Sequence, residues 1–305
     1  MDYAWLILGF ILLIKGADFF VDGSSALARL LKVPPVIIGL TIVAMGTSAP
    51  EAAVSITAGL SGNNAIAISN VLGSNMFNSL VVVGVCGAML AFKSDKDILK
   101  RDMPINIAIS ILLTLLLIDR ELSRFDGILL LVGMVLFITK MISAAKNDRV
   151  EDEASADVPL IRSLLFIVGG IAAIIAGGQL TVDSASNIAL ALGLSQTFVG
   201  LTIVAIGTSL PELVTSIVAT KKGESGLALG NAIGSNIFNI LFILGASSAI
   251  HPIMVEVVSI VDAVMLIGTS MMLYIFAKTK NEVSRAEGLL MVASYIGYTI
   301  YLLIR

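Results

Sequence analysis

Polar residues of the kind that normally cover a protein surface are scarce in this chain. Only 13% of its 305 residues are charged and 57% are hydrophobic, against roughly a quarter charged in soluble globular domains. So little charge cannot dress a water-facing surface, and lipid must be the main solvent. The single cysteine, Cys86, sits inside an apolar run, which excludes a disulfide framework or a thiolate metal cage. The one histidine, His251, falls in a loop between apolar runs, so zinc or copper chemistry is not expected. There is no basic tract to suggest nucleic acid, and a net charge of −3 names no macromolecular partner.

What the chain has in quantity is long apolar runs, with a mean hydropathy of +1.00. A helix needs about 20 mostly apolar residues to cross the hydrocarbon core. Ten such spans are expected, at 3–30, 34–59, 64–91, 103–119, 125–143, 160–190, 194–220, 225–250, 255–277 and 286–304. The first and sixth are too long for an upright crossing and should tilt. No basic segment precedes the first and no small-residue cleavage pattern follows it, so it reads as a retained span. Fifteen of the nineteen Lys and Arg residues fall in the loops after odd-numbered spans. Positive charge marks the cytoplasmic side, which places both termini outside a plasma (inner) membrane. The hydrophilic stretch 144–159 then becomes a cytoplasmic tether between a first half, 1–143, and a second, 160–305.

The two halves repeat one another. Residues 39–51 read GLTIVAMGTSAPE and residues 200–212 read GLTIVAIGTSLPE, with eleven of thirteen positions identical at an offset of 161. At the same offset SNVLGSNMFN (69–78) aligns with GNAIGSNIFN (230–239), with six identities in ten. Each half holds five spans, an odd number, so the second must enter the membrane upside down relative to the first. The expected fold is therefore all-α, ten transmembrane helices in two inverted-topology repeats, with substrates near the midplane between them.

The best-matched residues are polar and lie in mid-span. Glu51 and Glu212 are carboxylates at membrane depth, where such groups are costly and mark ion pathways. Thr47 and Ser48 stand four and three residues before Glu51, and Thr208 and Ser209 stand likewise before Glu212, so each trio shares a helix face. Pro50 offers no N–H to the carbonyl of Gly46, so the helix should break there and free carbonyls around Ala44–Gly46 to line a cavity. Hydroxyls, carbonyls and a carboxylate, present twice, suit a hard cation such as Ca²⁺, which takes six to eight oxygen ligands. Asn70, Ser74 and Asn78 recur every four residues, as do Asn231, Ser235 and Asn239, and give each half a second polar face. For Asn70, Asn75, Asn231 and Asn236 the simpler expectation is hydrogen bonding between helices. Two midplane carboxylates carry −2; one Ca²⁺ neutralises it and three Na⁺ leave +1, so exchange of one for the other would be electrogenic. Two protons would also neutralise the pair, which keeps a proton-coupled cation antiporter as the alternative. An enzyme is not expected, since Ser48 has no histidine beside it and the Ser/Glu set occurs twice.

The paired G-T-S-x-P-E and G-S-N-x-F-N segments resemble the α-repeats of the calcium/cation antiporter superfamily, in particular sodium/calcium exchangers of the prokaryotic kind. The resemblance covers the whole chain. It implies alternating access, with spans 1 and 6 sliding past the other eight. It implies that Glu51 and Glu212 are shared by Ca²⁺ and Na⁺, with further oxygens from Thr47, Ser48, Thr208, Ser209 and the carbonyls of Ala44 and Ala205. Ser74 and Ser235 would complete outlying Na⁺ positions. Many relatives carry Asp where this chain has Asn78 or Asn239; the amides remove charge from the middle position and argue against K⁺ dependence. The substrates implied are Ca²⁺ and Na⁺, with no cofactor and no obligatory protein partner beyond the bilayer.

Overall fold

Runs of Leu, Ile, Val and Ala leave the backbone few ways to pair its amides in an apolar solvent, and a helix pairs them within the segment itself. The computed structural model describes residues 2–60, 64–94, 96–147, 159–193 and 205–304, and these are overwhelmingly helical. Helix α1 (Asp2–Leu31) is followed by α2 (Pro35–Thr47) and α3 (Ala49–Leu60), which meet at a 51° bend. Next come α4 (Asn64–Phe77), a π turn (Asn78–Val82) and α5 (Val83–Met89). A further π turn (Ile98–Asp102) leads into α6 (Met103–Leu116), and α7 (Arg124–Asn147) ends the first half. The second half holds α8 (Leu160–Ala191), a short helical turn (Ala205–Gly207), α9 (Leu210–Lys221) and α10 (Ser225–Phe238). A π turn (Asn239–Leu244), α11 (Gly245–Ile250), α12 (Val257–Lys278) and α13 (Arg285–Ile304) complete it.

Six helical stretches are long and apolar enough to cross a membrane among the described residues, and the bent pair α2–α3 makes a seventh if taken as one span. Two boundaries differ from expectation. Residues 144–147, assigned to the tether, form the last turn of α7, where Ala144 is buried; the rest of the tether, 148–158, lies outside the described residues. Helical structure ahead of the fourth span is already present at Lys96 and Asp97, before the expected start at 103. The opening of the seventh span, 194–204, also lies outside the described residues.

The offset of 161 that relates the sequences also relates the contacts. Strand β1 (Phe92–Lys93) pairs antiparallel with β4 (Glu282–Val283), and β2 (Glu121–Leu122) with β3 (Ile253–Met254). Phe92 faces Val283 and Leu122 faces Ile253, and adding 161 to 92 and 122 gives 253 and 283. Each ribbon thus ties one half to the other and maps onto its twin. The starts of α7 and α13 are capped alike. Ser123 donates its backbone N–H to Asp126 at 2.9 Å, and Ser284 does the same to Glu287 at 2.8 Å, the reciprocal arrangement of a capping box.

Glycines bring α1 and α8 into backbone contact. A side chain on Gly16 would meet the amide nitrogen of Ile174 at 2.9 Å and the Gly170 carbonyl at 3.0 Å, and one on Gly177 would meet the Gly9 carbonyl at 2.7 Å. Small residues permit this approach, and in lipid such packing supplies much of the drive for association. Helix α10 lies at the centre, buried from Leu227 to Phe238. It seats against α2 in the same manner, Gly230 facing the Val36 carbonyl and Gly234 the Leu40 carbonyl.

Candidate functional site

The bend between α2 and α3 falls on Ser48, whose φ of −80° and ψ of 10° leave the helical region. Its twin Ser209 has φ −93° and ψ 7° ahead of α9. Pro50 and Pro211 occupy the first turn of the helix that follows, where a missing N–H costs nothing. The break therefore comes two residues before each proline. One expectation changes as a result. The Ala44 carbonyl is not freed by the break, since it accepts the Ser48 amide at 3.0 Å; its remaining lone pair faces Thr47 Oγ1 at 3.3 Å and Ser235 Oγ at 3.5 Å.

Glu51 and Glu212 are both fully buried, and their nearest donors come from the opposite half. Ser48 Oγ donates to Glu212 Oε1 at 2.8 Å, and Ser209 Oγ donates to Glu51 Oε1 at 3.0 Å. Ser235 adds a longer bond to Glu212 Oε1 at 3.4 Å. The Ser–Glu pairs were expected to share a face within each helix; the hydroxyls instead cross between the repeats. The second oxygen of each carboxylate, Oε2, is buried with no hydrogen-bond partner among the described residues. Leaving a buried polar atom unpaired costs about 1–3 kcal/mol, more when it is charged. Neither carboxylate has a basic residue in an ion pair with it among the described residues.

Orphaned oxygens gather elsewhere in the same group. Among the described residues, Asn78 is fully buried with neither amide atom paired, Asn239 keeps Oδ1 unpaired, and Thr208 Oγ1 is likewise without a partner. Ser74 is buried on α4. Ala205 opens the short helical turn before Thr208. Thr47 Oγ1 lies 3.1 Å from the Val43 carbonyl and 3.0 Å from Asn231 Oδ1; a hydroxyl that donates in this way still has lone pairs for a cation. Ser48, Ser235, Ala44 and Glu212 are thus joined directly, as are Ser209 and Glu51.

The neighbouring asparagines are the supports. Asn70 donates to Ser55 Oγ at 2.9 Å and to the Glu51 carbonyl at 3.4 Å; Asn231 does the same to Ser216 Oγ at 3.0 Å and the Glu212 carbonyl at 3.4 Å. Asn75 reaches the Asn236 carbonyl at 3.1 Å and accepts from Asn239 at 3.0 Å, while Asn236 donates to Ser79 at 2.9 Å. These are bonds between helices, as expected for Asn70, Asn75, Asn231 and Asn236. Ser55, Ser216 and Ser79 carried no signal of their own, since isolated serines in apolar spans have many uses.

A cavity of about 790 Å³ runs beside the site, lined by Pro50, Ala53, Thr57, Gln179, Asp183 and Thr208 among others. Chemically the arrangement offers hard oxygen atoms, serine hydroxyls from both repeats against two buried carboxylates, in an environment that penalises net charge. It can hold a cation and release it to water through an adjoining space.

The sodium/calcium exchanger protein family matches residues 1–142 and 162–304 of this chain. Sodium/calcium exchanger MaX1 of Methanosarcina acetivorans is 34% identical, with 99% of this chain and 98% of the relative aligned. Inner membrane protein YrbG of Escherichia coli is 40% identical over 82% of this chain and 80% of its own length. Among solved structures, the sodium-calcium exchanger NCX_Mj soaked with zero Na⁺ and Ca²⁺ matches with a TM-score of 0.87 at 34% identity, covering 99% of this chain and 98% of that one. Matched in both halves and over nearly its whole length, the chain belongs to the sodium/calcium exchanger family of membrane transporters.

Proposed function

We propose that this protein is a secondary antiporter that exchanges Ca²⁺ for Na⁺ by alternating access, electrogenically and without K⁺. The observation that carries the reading is the crossed pair Ser48–Glu212 and Ser209–Glu51, which leaves one unpaired oxygen on each buried carboxylate. Two such carboxylates cannot both stay ionised at membrane depth without a counter-charge. A Ca²⁺ ion neutralises them, and its need for six to eight oxygens is met from Glu51, Glu212, Thr47, Thr208 and the carbonyls of Ala44 and Ala205. Na⁺ ions share the same carboxylates, with Ser48, Ser209, Ser74 and Ser235 at the outlying positions. Asn78 and Asn239 offer neutral oxygens between the carboxylates. Ca²⁺ and Na⁺ draw on one charge, so they compete, and competition at a shared site couples their movements.

In this reading ten spans form two inverted repeats, 1–143 and 160–305, joined by a cytoplasmic tether at 144–159, with both termini outside. The 161-residue exchange of ribbons, glycine contacts and hydrogen bonds supports it. The names of the relatives MaX1 and NCX_Mj support the choice of Na⁺ as the driving ion. The test is uptake of radioactive Ca²⁺ into liposomes loaded with Na⁺ and diluted into Na⁺-free buffer. Uptake that requires internal Na⁺ is the expected result. Uptake that ignores Na⁺ and follows an imposed pH gradient would replace this reading with proton coupling.

A further inference from the structure

The two halves match at the cation site but differ where α1 and α8 meet the helices beyond the breaks. On α1, Asp18 and Asp22 face Lys222, the residue that follows α9. Lys222 Nζ lies 2.8 Å from Asp22 Oδ1, 3.3 Å from Asp18 Oδ1 and 3.1 Å from the Asp18 carbonyl. Two residues on, Glu224 pairs with Arg29 of α1 at 3.6 Å. The repeat offset takes Asp18 and Asp22 to Gln179 and Asp183 on α8, and Lys222 to Ser61. The second set has no basic residue, and Asp183 is exposed with no ion pair among the described residues.

The packing follows the charges. Val214 of α9 packs against the cluster that contains Leu13, Ala17 and Phe20 of α1. Its counterpart, Ala53 of α3, is exposed and lines the 790 Å³ cavity together with Gln179, Val182 and Asp183 of α8. One interface is closed and bridged by an ion-pair cluster; the related one is open and, among the described residues, has no such bridge.

We propose that Lys222, gripping Asp18 and Asp22, is a one-sided latch that holds α1 closed over α9 and so favours the state in which the cavity between α3 and α8 is open. The proposal rests on the alternating-access reading. In the opposite state α8 closes over α3, α1 lifts from α9, and Lys222 must release both aspartates. An ion pair this exposed is weak, yet a transporter needs both states within reach of one another, and a small bias then sets their ratio. The missing cation at position 61 makes the bias one-sided, so the two ends of the pathway are unequal although the ion ligands are paired.

The test uses the full chain in lipid nanodiscs, where both faces are accessible, with Cys86→Ala as background. Thiols introduced separately by Ala53→Cys and Val214→Cys are labelled with a polar maleimide. Lys222→Met is expected to slow labelling at position 53 by roughly two- to fivefold and to speed it at position 214. Lys222→Arg and Asp183→Asn should leave both rates at the parental value. The double change Asp18→Asn with Asp22→Asn should reproduce Lys222→Met, and serves if that variant folds poorly. Unchanged rates in both neutralised forms, or an equal effect from Asp183→Asn, would overturn the latch. Ca²⁺ uptake by the same proteins in liposomes separates the two ideas. Shifted labelling with no Na⁺-dependent uptake in any variant upholds the latch and removes the antiporter reading instead.

Discussion

Each buried carboxylate accepts its shortest hydrogen bond from a serine of the other repeat, so the two halves of the site are completed by exchange. Glu51→Gln or Glu212→Gln halves the charge available to a divalent ion and is expected to abolish Na⁺-dependent Ca²⁺ uptake, a loss of at least about a hundredfold given the cost of an uncompensated charge at this depth. Ser48→Ala removes one neutral donor and leaves Glu212 Oε1 with Ser235 at 3.4 Å. A hydrogen bond to a charged group contributes about 1.5–3 kcal/mol, so the concentration of Ca²⁺ giving half-maximal uptake should rise by roughly tenfold or more, and the thermal midpoint should fall by several degrees. Residue types were legible from the sequence because polar groups repeated in register stand out against apolar spans. Which hydroxyl meets which carboxylate was not legible. Spacing along one helix says that Ser48 and Glu51 share a face, but the geometry across the repeat interface decides that Ser48 turns to Glu212. The same applies to Thr47, whose contact with Asn231 spans 184 positions.

At the scale of elements, the chain depends on close backbone approach as much as on the breaks. The proline in each motif signalled an interruption, and one is present, but it falls on Ser48 because a proline in a first turn starts a helix. The α1–α8 contact was legible only in outline, through the resemblance that sets spans 1 and 6 apart from the other eight; the glycines that make it emerge from the fold. Gly16→Val is expected to force the two helices apart, since the added atoms would meet backbone of Gly170 and Ile174 and have no flexible side chain to displace. Uptake should fall by more than about tenfold, and the thermal midpoint should drop by several degrees, as for other overpacked interfaces. Gly169→Ala, on the partner helix α8 with nothing within 4 Å of the added carbon, should match the parent in both measurements. Equal damage from the two changes would mean that helix propensity or lipid exposure, not the α1–α8 contact, governs this region.

At the scale of the whole molecule, the count of midplane charges decides how transport responds to voltage. The membrane-spanning helical character and the internal repeat could be read from the sequence, because lipid admits few backbone solutions and each leaves a long apolar signature. The asymmetry between the two ends was hidden, since it depends on Lys222 meeting aspartates about 200 positions away. The charge count is symmetrical and its consequence is simple. In the proposed exchange Glu51 and Glu212 together hold −2, and Asn78 and Asn239 add nothing, so a limb loaded with Ca²⁺ would be neutral and one loaded with three Na⁺ would carry +1. In vesicles filled with Na⁺, each Ca²⁺ taken up then moves one net positive charge out of the lumen. An inside-positive potential, set by valinomycin and an inward K⁺ gradient, should favour uptake, and an inside-negative one should oppose it. One charge across 100 mV is worth about 2.3 kcal/mol, so about 60 mV should shift the Ca²⁺ ratio at equilibrium roughly tenfold. Vesicles without valinomycin, with choline in place of K⁺, should give the same uptake as those with K⁺, because no acidic residue is left at positions 78 and 239 to recruit it. An equilibrium ratio indifferent to voltage would mean that the amide-lined middle position holds no third Na⁺, and that two Na⁺ balance each Ca²⁺.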